Sequence, residues 1–145
     1  MKRKFSKIIS LSLTLLLFIS PALATKCLEP ATKLDQLVAE PQKFLYKKLS
    51  IEGDFHSYST LALDYPKALR TSKDFISIVL SRPDMKSIPL VELKIAAPLA
   101  LFKDSNLTID QGDKISIKAK VYAVALGEPW LEAESIEIIK KKKST

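Results

Sequence analysis

One cysteine, one histidine, one tryptophan and three glycines are all that 145 residues contain of those types, and each scarcity removes a class of function. A lone Cys27 makes no internal disulfide. Metal centres assembled from paired histidines, with or without cysteines, need more ligands than His56 and Cys27 supply, so neither a metal nor a cofactor is expected. His56 also has no G-x-S-x-G nucleophile elbow to serve, and no catalytic residue is assigned. The acids Glu132, Glu134 and Glu137 read as a solvated strand face rather than as a carboxylate pair for glycoside chemistry. No Gly-rich segment, internal repeat or low-complexity linker divides the chain, and about 120 residues behind a leader make one domain rather than two.

The first residues carry an address. Lys2, Arg3, Lys4 and Lys7 precede an apolar stretch from Ile8 to Ile19, and Ala22-Leu23-Ala24 forms an A-x-A cleavage box just after Pro21. Residues 1–24 are therefore expected to be a cleaved secretory signal of bacterial kind. Thr25 becomes the mature N-terminus and the protein is extracytoplasmic, either periplasmic or secreted. The apolar stretch is shorter than the roughly 20 residues that cross hydrocarbon, so no transmembrane span is expected after cleavage. Lys26, immediately before Cys27, argues against lipid attachment there and leaves an incidental or intermolecularly paired thiol. The sequon Asn106-Leu107-Thr108 carries no weight behind a bacterial signal.

The formal charge of +7 belongs to the two ends. Four basic residues lie in the signal and four more, Lys140 to Lys143, in a C-terminal tail (residues 140–145) expected to be solvated and frayed. The stretch between is close to neutral. A groove that tracks nucleic acid needs Lys and Arg clustered on the fold itself, so nucleic acid is not the expected partner.

Within the domain, residues 25–139, hydrophobic spacing gives the elements. Thr32 is placed to cap a short helix through Leu34, Leu37 and Val38, which Pro41 closes. From Leu49 the period is two: Leu49, Ile51, Gly53 and Phe55 alternate with Ser50, Glu52, Asp54 and His56, with Gly53 suggesting a bulge or bend. Residues 57–73 are irregular. Phe75 to Leu80 and Leu90 to Ile95 predict the second and third strands, and Pro98 begins a second helix, Leu99 to Lys103. Ile115, Ile117, Ala119, Val121 and Ala123 predict the inward face of a fourth strand. The fifth runs from Trp130 to Ile139, with Leu131, Ala133 and Ser135 as one set and Glu132, Glu134 and Ile136 as the other.

Three strands, a helix and two strands behind an N-terminal helix is the order of the five-stranded OB-like Greek-key barrel, an all-β fold with minor α content. Leu37-Val38-Ala39-Glu40-Pro41-Gln42-Lys43-Phe44, leading into Lys47-Lys48-Leu49-Ser50-Ile51-Glu52-Gly53, resembles the opening of OB-like domains of secreted bacterial proteins. There a helix and a P-x-K-aromatic turn feed the first strand. Gln111-Gly112-Asp113-Lys114-Ile115 resembles the turn into their fourth strand, although Ala119 stands where a glycine is common, and Pro129-Trp130-Leu131 is similar to the start of their fifth.

Beyond the signal only two arginines remain, Arg70 and Arg82, bracketing the second strand, and Arg suits bidentate contact with carboxylate or phosphate. Tyr58, Tyr65 and Trp130 fall in or beside the loops that make the usual OB ligand rim. These five are the candidate binding residues. The competing reading pairs the arginines with Asp74 or Asp84 and uses the aromatics as plugs for the barrel ends. The resulting expectation is a non-enzymatic, exported binding or scaffolding module of the bacterial cell envelope, with a protein or envelope-polymer partner. The alternative is a nucleic-acid-binding OB-fold domain.

Overall fold

A computed structural model describes residues 31–67 and 69–143, the side chains of residues 104 and 105 excepted. The secretory signal and Cys27 lie outside the described residues. Helix α1 (Leu34–Ala39) and a 3-10 turn (Pro41–Phe44) lead into strand β1 (Lys48–Ser59); β2 (Phe75–Leu80), β3 (Lys94–Pro98), helix α2 (Ala100–Ser105), β4 (Lys114–Ala125) and β5 (Glu128–Lys140) follow. The strands close into a barrel in the order β1-β2-β3-β5-β4, with β4 returning to β1. All neighbours are antiparallel except β3 and β5, which run parallel. Among the described residues no helix is long and apolar enough to cross a membrane.

The period-two pattern builds the interior. Leu49, Ile51 and Phe55 from β1 meet Ile115, Ile117, Ala119 and Val121 from β4 and Leu131 and Ala133 from β5, and Leu34 and Leu37 of α1 join the same cluster. Four register shifts among the described residues let these long strands curl. One leaves His56 extra in β1 against β2; three more fall between Lys114 and Ile115, between Lys118 and Ala119 and between Val121 and Ala123 in the β4–β5 pair. Gly53 is not itself the bulge. A Cβ there would lie 2.9 Å from Leu80 Cδ1 and 3.4 Å from Leu34 Cδ1, so the missing side chain lets α1 and β2 close on β1.

Several expected details differ. Thr32 caps nothing: α1 has no side-chain cap, and Thr32 instead makes a parallel bridge to Ile51, its N–H donating to Ser50 O at 2.7 Å. The third strand begins at Lys94, because Leu90 and Leu93 are buried from a turn instead of a ladder. Pro98 ends that strand and α2 starts at Ala100. In β5 the bulge opposite Lys118 inverts the alternation, so Ile136 and Ile138 pack on the core and Ser135 turns away. Ala123 is only half-buried, beyond the last shift.

The C-terminal lysines are tied down in part. Asp113, 1% exposed, accepts hydrogen bonds from Asp110 N–H (2.9 Å) and Lys142 N–H (2.8 Å), and Lys141 Nζ lies 2.9 Å from it. Burial opposes ionisation of this carboxyl. The Asp110 N–H, the Lys141 ammonium and the Lys142 N–H outweigh it and hold the group down to about 2. The end of β5 is thereby stapled to the turn that opens β4, where the sequence suggested a frayed tail.

Candidate functional site

The loop joining β1 to β2 does not project from the barrel but lies back across its outer surface. In β2, Ile76, Ile78 and Leu80 pack inward, which turns Ser77 and Val79 outward. The same parity turns Ala96 outward in β3, and Trp130 and Glu132 outward in β5 on either side of Leu131. Ser77 faces Ala96 across β2 and β3, and Ala96 faces Glu132 across β3 and β5, so these residues form one continuous outer row. On a bare barrel such a row is wet. Here Ser77 and Trp130 are each 3% exposed and Ala96 5%.

The described residues of the β1–β2 loop, 60–67 and 69–73, supply the cover. Ser77 Oγ donates to Leu61 O, Leu63 is itself buried, and the Tyr65 ring lies 5.8 Å from that of Trp130 at a tilt of 49°. Arg70 reaches the far edge. Its Nε donates to Glu132 Oε2 at 2.6 Å, Nη2 ion-pairs with the same oxygen, and the guanidinium sits 4.4 Å over Tyr122 and 5.4 Å from Phe75. Within the loop, Asp64 N–H donates to Arg70 O at 2.9 Å and Ser72 N–H to Asp64 Oδ1 at 2.9 Å. The Ser72 hydroxyl and N–H hold the Asp64 carboxyl below its usual range.

Beside this cover, Arg70, Lys120, Tyr122, Glu132 and Glu134 line an open hollow of about 240 Å³. Burial raises the Tyr122 hydroxyl above its ordinary value; the Arg70 charge opposes the shift and Glu132 adds to it. Lys48 ion-pairs with Glu134 (2.8 Å) and Lys114 with Glu52 (2.9 Å), whereas Lys118 and Lys120, exposed on β4, make no ion pair among the described residues. Trp130 Nε1 is buried without a hydrogen-bond partner. Among the described residues no three of His, Cys, Asp or Glu converge as a metal site.

Of the five candidate residues, Arg70, Tyr65 and Trp130 come together and the other two do not. Arg82 ion-pairs with Glu92 in the β2–β3 connection, and that bond is the main force holding the Glu92 carboxyl down. Tyr58 stands elsewhere, 4.7 Å from Phe55 and 5.6 Å from Phe102, ring to ring. Neither arginine pairs with Asp74 or Asp84. Tyr122, Lys118 and Lys120 alternate with the predicted inward residues of the fourth strand, but that alternation does not connect them to the loop. Glu132 lies 62 residues from Arg70, and no local pattern links them.

No protein-family model and no curated protein matches the sequence. Among solved structures, the chain is similar to asparaginyl-tRNA synthetase from Pyrococcus horikoshii, solved with asparaginyl-adenylate, with a TM-score of 0.50 and 11% identity over 76% of this chain and 22% of that one. It is also similar to a protein assigned as an aspartyl-tRNA synthetase from Leishmania major Friedlin, with a TM-score of 0.52 and 12% identity over 87% of this chain and 24% of that one. The chain thus spans about a quarter or less of their length. At this identity the likeness is one of fold, the OB-like barrel.

These likenesses correct the expectation of an envelope module with a protein or envelope-polymer partner and no nucleic acid: the proteins sharing the barrel are synthetases named for a nucleic acid, tRNA. The error came from net charge. Near-neutrality of the fold does not describe how charge is spread on this face, because Glu52, Glu132 and Glu134 are each held by a basic partner, which leaves Lys118 and Lys120 without an ion pair against one exposed carboxylate, Glu137, also without an ion pair among the described residues. The alternative expectation, a nucleic-acid-binding OB-fold domain, is the one carried forward.

Proposed function

We propose that this chain is a non-enzymatic OB-fold module that binds single-stranded nucleic acid on the outer face of β3, β5 and β4. The observation that carries this reading is the convergence, on one face of the barrel, of aromatic planes and cations: Trp130 and Tyr122 on adjacent strands, Arg70 over Tyr122, and Lys118 and Lys120 alongside. Non-sequence-specific recognition of single strands uses this pairing, with bases stacking on rings and phosphates meeting Lys or Arg. Glu132 neutralises Arg70, so long-range attraction rests on Lys118 and Lys120. The neighbouring loops are those with which OB barrels frame their ligands. Export through residues 1–24 belongs to the same proposal, supported by the charged start and the Ala22-Leu23-Ala24 box, and is read out as Thr25 at the N-terminus of the processed protein by mass spectrometry.

Titration of fluorescein-labelled dT15 and rU15 into the protein at several salt concentrations tests the function. Binding that weakens linearly in log salt is expected. Replacing Lys118 and Lys120 together by Ala should flatten that slope by about 1.4, at roughly 0.7 per single-strand phosphate contact, with the melting temperature retained. No binding at low salt, or a slope indifferent to both lysines, overturns the reading.

A further inference from the structure

Among the described residues, four buried apolar side chains, Leu63, Val79, Ala96 and Trp130, belong to no part of the barrel core. Leu63 comes from the loop and the other three from the outer faces of β2, β3 and β5, and the loop meets that surface directly at Ser77 and Trp130. That cover adds no strand to the barrel. Its attachments to the barrel run through a few residues: the Ser77 hydroxyl on Leu61 O, the Arg70–Glu132 pair, the Arg70 guanidinium over Tyr122 and against Phe75, the Phe75 N–H on Thr71 O, and the Tyr65 ring against Trp130. Its backbone is also held in an unfavourable form. Ala62, Asp64 and Leu69 have positive φ of 66°, 60° and 51° within eight residues, and neither Ala nor Leu settles there without external support.

The ring under the cover is incompletely served. Trp130 is 3% exposed and, among the described residues, its Nε1–H finds no acceptor and its one ring neighbour, Tyr65, meets it at a 49° tilt instead of a parallel stack. As placed, Tyr65 neither stacks parallel on Trp130 nor accepts from its Nε1–H; a nucleobase, flat and edged with carbonyl or ring-nitrogen acceptors, can do both. Lys120 and Lys118 lie on the adjoining strand, opposite Glu132 and Ser135, and extend the same outer surface away from Trp130.

We propose that residues 60–67 and 69–73 form an autoinhibitory cover in which Tyr65 occupies, on Trp130, the place of a nucleobase, and that a single strand binds by displacing it. The inference rests on the nucleic-acid reading above and adds to it where the first base sits and what must move. The Arg70–Glu132 pair is the latch. Because only the open fraction of the protein binds, the closed cover lowers the apparent affinity by that fraction, and any change that loosens the cover raises it.

The test compares dT15 affinity with acrylamide quenching of Trp130, the one tryptophan in the chain, whose fluorescence reports the cover with no nucleic acid present. Tyr65→Ala should bind dT15 several-fold more tightly than the parent and show a more quenchable Trp130. Ser77→Ala, which loosens the cover with no change of charge, should move both readouts the same way by less. Glu132→Gln should raise affinity more than Glu134→Gln, since both remove one negative charge from the hollow but only the first releases Arg70. Weaker or unchanged binding by Tyr65→Ala overturns the cover while leaving the nucleic-acid reading intact, because Tyr65 is then a stacking platform or a bystander. Equal gains from Glu132→Gln and Glu134→Gln overturn the latch, leaving charge as the sole cause. Failure of the parent and every variant to bind dT15 overturns the nucleic-acid reading and this inference with it, and is told apart by the quenching data, which then show the state of the cover on their own.

Discussion

The barrel interior and the layer beneath residues 60–73 are both dry, yet they are dry for different reasons. Inside, Ile51, Ile115, Ile117, Val121 and Leu131 are sealed by ladders running round the whole closed sheet, so no one of them is exposed without breaking many hydrogen bonds. Outside, Ser77 and Trp130 are met by one irregular segment with a few side-chain anchors. Burial measured residue by residue looks the same in both places. What differs is the cost of reversing it, and stability of that graded kind is where binding surfaces are drawn from.

The sharpest way to break this contrast is in the interior. Ile117→Ala should cost about 2–5 kcal/mol in chemical unfolding, from lost transfer energy plus an unfilled cavity, while the neighbouring Lys118→Ala stays within about 0.5 kcal/mol. Similar losses at the two positions would mean that the inward and outward faces of β4 are misassigned. Next in size is the end of the barrel stapled by Asp113. Its carboxyl titrates at about 2 in the folded protein against 3.8 for the ordinary group, so its contribution is complete above 3.8 and disappears as pH falls towards 2. The melting temperature of the parent should therefore fall across that window more steeply than that of Asp113→Asn. Parallel curves would remove Asp113 as a staple.

The smallest effect is expected in the outer layer. Leu63→Ala should cost about 1 kcal/mol, well below Ile117→Ala, because the cover can shift to fill the space. Hydrogen exchange should show the amides of residues 60–73 opening without global unfolding. A loss at Leu63 as large as that at Ile117 would make the cover a structural wall of the barrel.

The barrel was legible in the sequence because its longest strands declare themselves. Lys114 to Val121 alternates without interruption, Phe75 to Leu80 is β-branched and apolar, and Gln111-Gly112-Asp113 turns where Gly112 takes a φ of 91°. The register shifts were not legible. Each inserts one residue left out of the ladder, and nothing in a strand's own alternation marks where, which is why Ser135 was placed with Leu131 and Ala133 when Ile136 and Ile138 are the residues that pack inward. Leu90 and Leu93 misled for a related reason: a turn can bury leucines as deeply as a strand does. At the candidate site, the arginines and aromatics stood out by their rarity, but their partners did not. Arg70 finds Glu132 and Tyr122 only through the path of an aperiodic loop across the barrel, and periodicity carries no information about such a path. Arg82, of the same rarity, is spent on Glu92 at a different place.

The most direct test of nucleic acid binding on the covered face is a two-dimensional 15N–1H NMR titration with dT15, read at the single indole N–H signal that one tryptophan gives. The expected result is a saturable shift of the Trp130 indole signal, accompanied by shifts in the amides of residues 60–73 and of Lys118 and Lys120, as Tyr65 leaves and a base takes its place. An indole signal that stays fixed while dT15 saturates the protein would place the ligand elsewhere and contradict the account.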